Sequence, residues 1–117
     1  MKKSTLLTLF AVVCAASAIA QTANYTAAEA AKHVGETATV TDKVDGVHRL
    51  RKGHFLLNMG GKYPNQTFTA FIPAASASQF SEFRQYEGRT VTVSGKIVMH
   101  GRKPVIVVTS QAQLTVK

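Results

Sequence analysis

Arg89-Thr90-Val91-Thr92-Val93-Ser94-Gly95-Lys96-Ile97-Val98-Met99 is the stretch on which the fold turns. Val91, Val93, Ile97 and Met99 share one parity, while Thr92, Ser94 and Lys96 take the other. That alternation marks a strand with one buried face, so Val93 is expected to point into the core. Gly95 in mid-strand predicts a sharp bend, of the kind a sheet makes as it curls into a barrel. His100-Gly101-Arg102-Lys103 reads as a tight hairpin loop, with Pro104 to Thr109 as the returning strand. Gln113 to Val116 is a short tail strand or extension.

Upstream of this hairpin a helix is expected, opened by Ser76 or Ser78 and ended by Gly88, with Phe80 and Phe83 on one face. Pro73 stops the strand before it, Thr67 to Ile72. Gly60-Gly61 and Lys62-Tyr63-Pro64-Asn65 make a turn-rich connection back to the strand His54 to Met59. His48 to Gly53 is a polar, basic loop. The first strand runs from Thr37 to Val47, with Gly46 allowing a bend or bulge. Before it, Thr26-Ala27-Ala28-Glu29 forms a capping box, predicting a helix over Ala27 to Val34 that Gly35 ends. The order is helix, three strands, helix, two strands. It predicts an all-β protein, a β-barrel with minor helices: a five-stranded OB-fold Greek-key barrel with an N-terminal helix and a helix between strands three and four.

The 117-residue chain opens with the three parts of a secretory signal peptide. Lys2 and Lys3 are the charged start, Leu6 to Cys14 the short apolar run, and Ala18-Ile19-Ala20 the small-residue cleavage site. Residues 1–20 are therefore expected to be removed, leaving residues 21–117 as one OB-fold domain, periplasmic or secreted, with no stable membrane insertion. The only cysteine, Cys14, leaves with the peptide, so no disulfide supports the domain. Losing Lys2 and Lys3 lowers the net charge from +8 to +6, which favours anionic partners.

The charge is concentrated where such a barrel binds its ligands. An OB-fold uses the face of strands two and three, flanked by the loop between strands one and two and the loop between strands four and five. Here those loops carry Arg49, Arg51 and Lys52, and Arg102 and Lys103. Arginines there can hold phosphates, carboxylates or sulfates bidentately. Phe68, Ala70 and Ile72 share the core face of strand three; Phe71 has the opposite parity. It either packs under a loop or helix, or stacks a base or sugar ring. Tyr63 either anchors the turn at Pro64 or stacks in the same way.

Nothing in the sequence points to an enzyme. Glu29, Glu36, Asp42, Asp45, Glu82 and Glu87 form no acidic cluster for a catalytic metal. His33, His48, His54 and His100 lack metal-motif spacing, and no serine sits in a nucleophile-elbow pattern. No cofactor is expected.

His33-Val34-Gly35-Glu36, Arg51-Lys52-Gly53, the run from Phe55 to Thr69 and Tyr86-Glu87-Gly88-Arg89-Thr90-Val91 together carry a family likeness. From about Ala31 to Val116 the chain resembles the small bacterial exported OB-fold domains related to the tRNA-anticodon-binding type. Those modules occur alone behind a signal peptide or appended to other exported proteins. Asp42 departs from the pattern, which often has glycine there. The resemblance implies the OB barrel and a nucleic-acid-binding-like role. The expected partner is single-stranded nucleic acid or another anionic polymer; the alternative is an envelope protein or glycan bound in the same groove.

Overall fold

The computed structural model describes residues 22–117. The expected signal peptide and the cut before Gln21 lie outside the described residues. The strands are β1 (Asn24–Tyr25), β2 (Thr37–Arg49), β3 (Phe55–Met59), β4 (Phe68–Ile72), β5 (Thr90–His100), β6 (Lys103–Val107) and β7 (Leu114–Val116). They are ordered β1-β2-β3-β4-β6-β5-β7, and β2 also pairs with β5. That extra pairing closes β2, β3, β4, β6 and β5 into an all-β barrel. The expectation of five strands is thus corrected to seven, five in the ring and two short ones beside it. β1 runs parallel to β2 and β7 antiparallel to β5. Although only two residues long, β1 is held because the Asn24 side chain accepts from the Thr39 and Thr41 hydroxyls at 2.7 and 2.9 Å.

β2 and β5 are long because each serves both sheets. Thr37 to Lys43 of β2 pairs with β5, and Val44 to Arg49 pairs with β3, with a register shift between Val44 and Gly46. β5 hands over from β2 to β6 after Lys96. Gly95 makes that corner at φ 149°, and a Cβ there would stand 2.8 Å from Ile106 Cγ2, too close to fit without movement. Both bends therefore fall at or beside the glycines that predict them.

The core follows the alternation. Val91, Val93 and Ile97 of β5, Phe68, Ala70 and Ile72 of β4, and Leu57 and Met59 of β3 are fully buried. Met99 has the parity of Val93 yet is 47% exposed. It pairs with Pro104 one step from the hairpin turn.

Both expected helices are corrected to 3-10 helices. The Thr26–Glu29 box forms: the Thr26 N–H donates to Glu29 Oε1 at 2.8 Å, and the Glu29 N–H to Thr26 Oγ1 at 3.3 Å. The helix that follows, Ala30–His33, is a single 3-10 turn, and Ala27 and Ala30 are both buried against the barrel. Gly35 ends it at φ 97°. The second helix begins directly after Pro73 rather than at Ser76 or Ser78. It is two segments, Ala74–Phe80 and Phe83–Tyr86. Phe80 and Phe83 are buried in the core, and the Phe83 ring stacks on Phe55 with centroids 4.0 Å apart.

Candidate ligand-binding groove

Alternation also builds the outer wall. Leu56 of β3, Thr69 and Phe71 of β4, and Val105 and Val107 of β6 have the parity opposite to the core. They line a groove of about 380 Å³. Its rim includes Leu50, from the connection between β2 and β3, and His100 and Lys103, from the β5–β6 hairpin. One residue of the first expected loop, Leu50, and two of the second, His100 and Lys103, thus line the same groove. Tyr63 and Gln66 enter from the β3–β4 connection, and Val98 and Met99 from β5. A smaller hollow of about 200 Å³ shares Leu50, Leu56 and Tyr63 and extends the groove to His48 and Asn58. Most of this surface is apolar. The side-chain oxygen of the buried Asn58 accepts from the Thr69 hydroxyl at 2.9 Å.

The cations named from the sequence are distributed differently. Arg51 and Lys52 are exposed in the turn after β2, and Arg102 is exposed in the hairpin; all three stand outside the groove lining. Arg49 is also outside it. Its guanidinium carbon lies 6.0 Å from the ring centroid of Phe55, a residue of core parity. Lys103 lines the groove but is not a free cation: its Nζ donates to the Pro64 carbonyl and, at 2.7 Å, to the Gln66 carbonyl.

Of the two aromatic residues, Phe71 is half-buried on the outer face, with its ring centroid 5.0 Å from that of His54. His54 is itself fixed, its Nδ1 accepting from the Ala74 N–H at 2.9 Å. Tyr63 is 75% exposed at the lip. A ring so bare does not anchor its turn by packing. The turn is held instead by Lys103 on one side and by Asp45 on the other, whose Oδ2 accepts from the Gly61 N–H at 2.7 Å.

Leu50, Leu56, Gln66, Val105 and Val107 escaped the sequence reading. One signal for them was present: Pro104 to Val108 is apolar on both parities, so its outer face must be either covered or used.

The carboxylates of the N-terminal half serve the scaffold. Asp42 accepts from the Ala27 N–H at 3.0 Å, and Glu36 accepts from the Tyr25 hydroxyl at 2.6 Å and meets His33 Nδ1 at 2.8 Å. The Tyr25 hydrogen bond, with His33 adding to it, holds the Glu36 carboxyl below its usual range, and the same bond raises the Tyr25 hydroxyl. Among the described residues no three of His, Cys, Asp or Glu are grouped to hold a metal ion.

No protein-family model matches the chain. No curated protein matches it either. Solved structures do. OBody AM1L10 bound to hen egg-white lysozyme is similar over 83% of this chain and 94% of its own, with TM-score 0.58 and 10% identity. OBody AM2EP06, also bound to hen egg-white lysozyme, is similar over 82% and 93%, with TM-score 0.57 and 10% identity. A putative aspartyl-tRNA synthetase from Leishmania major Friedlin is similar over 83% of this chain but only 21% of its own, with TM-score 0.56 and 8% identity. At these identities the likeness is one of fold: the barrel is OB-like.

Proposed function

We propose that this protein is an exported, non-catalytic OB-fold module that binds single-stranded nucleic acid in the groove between the β2–β3 turn and the β5–β6 hairpin. One observation carries the reading. Tyr63 stands bare at the lip of an apolar groove lined by Leu50 and His100, and the loops that carry those two residues also carry the exposed cations Arg51, Lys52 and Arg102. Single strands are held in this way, with bases stacked on aromatic and apolar surface and phosphates drawn to a cationic margin. The division of labour differs from a uniformly basic cleft: the floor takes the bases, and the rim takes the backbone.

The aliphatic part of the floor, Leu56, Val105 and Val107, favours a second reading, in which the groove takes an apolar protein segment. Two of the similar structures are bound to a protein. Fluorescence anisotropy separates the readings, using protein lacking residues 1–20 and a labelled oligothymidylate of about 12 nucleotides. Binding that weakens with salt, by a log–log slope of about 0.7 per phosphate contacted, is the expected result. Absence of binding at low salt removes nucleic acid and leaves the protein segment.

A further inference from the structure

Two of the four histidines are committed to the scaffold. His33 Nδ1 meets the Glu36 carboxylate at 2.8 Å, and His54 Nδ1 accepts from the Ala74 N–H at 2.9 Å. The other two are exposed and line the groove, His100 at the β5–β6 hairpin and His48 in the hollow that extends it. Among the described residues neither is ion-paired. Their surroundings are cationic. His48 pairs with Leu56 and is followed by Arg49, Arg51 and Lys52, and a Cβ on the nearby Gly46 would meet Lys62 Cγ at 3.9 Å. His100 pairs with Lys103 and precedes Arg102. Tyr63 is the remaining titratable group on the lining. Asp45, three residues before His48, is occupied by the Gly61 N–H. Every residue that lines the groove or its extension falls within 46–81 or 88–117, and those two segments contain no Asp or Glu. The lining therefore holds no side-chain anion to stabilise a charged imidazole; an anionic ligand would bring one.

We infer that binding in this groove is proton-linked: His48 and His100 take up protons as a polyanion binds, so acid strengthens the complex. The inference rests on the nucleic-acid reading and adds a regulation to it. Histidine is the side chain that changes charge near neutral pH. In the free protein a protonated ring at either position adds to a surface that is already positive. In the complex it faces phosphates, which favour the charged form. The bound state thus carries more protons than the free state, and affinity rises as pH falls through the imidazole range. The apolar floor takes no part in this, because stacking is not a charge effect.

The test follows the anisotropy of the labelled oligothymidylate with protein lacking residues 1–20, at about pH 8 and about pH 5.5, on either side of the imidazole range. Neither phosphates nor thymines change charge between those values, so the probe stays constant. Wild type should bind about tenfold more tightly at the lower pH. Its log–log salt slope should steepen there by about 1.4, the sum of two added phosphate contacts at about 0.7 each. The double variant His48→Gln/His100→Gln, changed only at exposed positions, should melt as wild type does and bind with one affinity and one slope at both pH values. His33→Gln, outside the groove, should keep the full acid gain. Wild-type binding that is indifferent to pH overturns the inference and leaves the nucleic-acid reading standing. An acid gain that survives in the double variant does the same. Absence of binding at both pH values overturns the two together.

Discussion

Lys103 Nζ donates to the main-chain carbonyl of Gln66 at 2.7 Å, tying the β5–β6 hairpin to the turn that precedes β4. A lysine in a loop of a basic OB-like barrel is most readily read as a phosphate contact. Here its charge is spent on two carbonyls of the turn that carries Tyr63.

Lys103→Met should separate these roles. Loss of the bonds to Pro64 and Gln66 should cost about 1 kcal/mol of stability, read from urea denaturation. Oligonucleotide affinity should fall as the Tyr63 turn loosens, with the salt slope preserved. A slope reduced by about 0.7 would show that the ammonium contacts a phosphate instead.

The rim is tested by reversing charge. Arg51→Glu, Lys52→Glu and Arg102→Glu should each weaken oligonucleotide binding and flatten its dependence on salt, since fewer counterions are released. Lys32→Glu and Lys117→Glu, placed outside the groove, should change both much less. Equal losses in all five would mean diffuse attraction to a basic protein.

Tyr63→Ala offers a clean measure of stacking, because a side chain 75% exposed contributes little to folding. Affinity should drop by roughly 1–3 kcal/mol if the ring stacks a base, with melting temperature and salt slope unchanged. Phe71→Ala should lose a similar amount but also some stability, through the His54 contact. Isothermal calorimetry beside a thermal melt reads both.

Within the core, Val93→Asp places a charge at a fully buried position and should cost several kcal/mol, leaving the domain largely unfolded. Thr92→Asp should be far milder: Thr92 is only partly buried, and its hydroxyl meets that of Thr41 at 2.9 Å. Circular dichroism of the two purified variants checks the contrast.

Acid should loosen the N-terminal strap. Glu36 is held below its ordinary 4.5 in the folded protein, first by the Tyr25 hydroxyl and then by His33. The unfolded chain therefore binds more protons through this window, so the stabilisation is present above about pH 4.5 and lost as pH falls through the folded value. Melting temperature should decline below that point and decline less in Glu36→Gln. Glu29, lowered chiefly by the Thr26 N–H, adds to the slope in the same direction. An identical acid profile in Glu36→Gln would remove the Tyr25–Glu36 bond from the account.

What was legible in the sequence was whatever a single strand or turn decides for itself. The parity of Val91, Val93 and Ile97, the corner at Gly95, the bulge at Gly46 and the outward face of Phe71 all follow from period two and from glycine's freedom. Parity alone did not reveal that Met99 emerges exposed. The capping box at Thr26 and Glu29 was legible, but the 3-10 winding after it was not. The employment of Lys103 was hidden because its acceptors lie 39 and 37 residues away, on a turn that only the tertiary fold brings near. The groove's apolar floor was hidden for the same reason: Leu56 and Val107 belong to different strands and become one surface only on closure.

The seam between β2 and β5 has a consequence for how the chain reaches this state. Thr41 and Thr92 meet across it from 51 residues apart, so the barrel cannot shut until most of the domain is available. Contacts of such long range make folding slow, because the loop must be closed before the pairing rewards it. Until β5 arrives, the first half of β2 lacks its ring partner, and closure of the barrel is the step that completes the core.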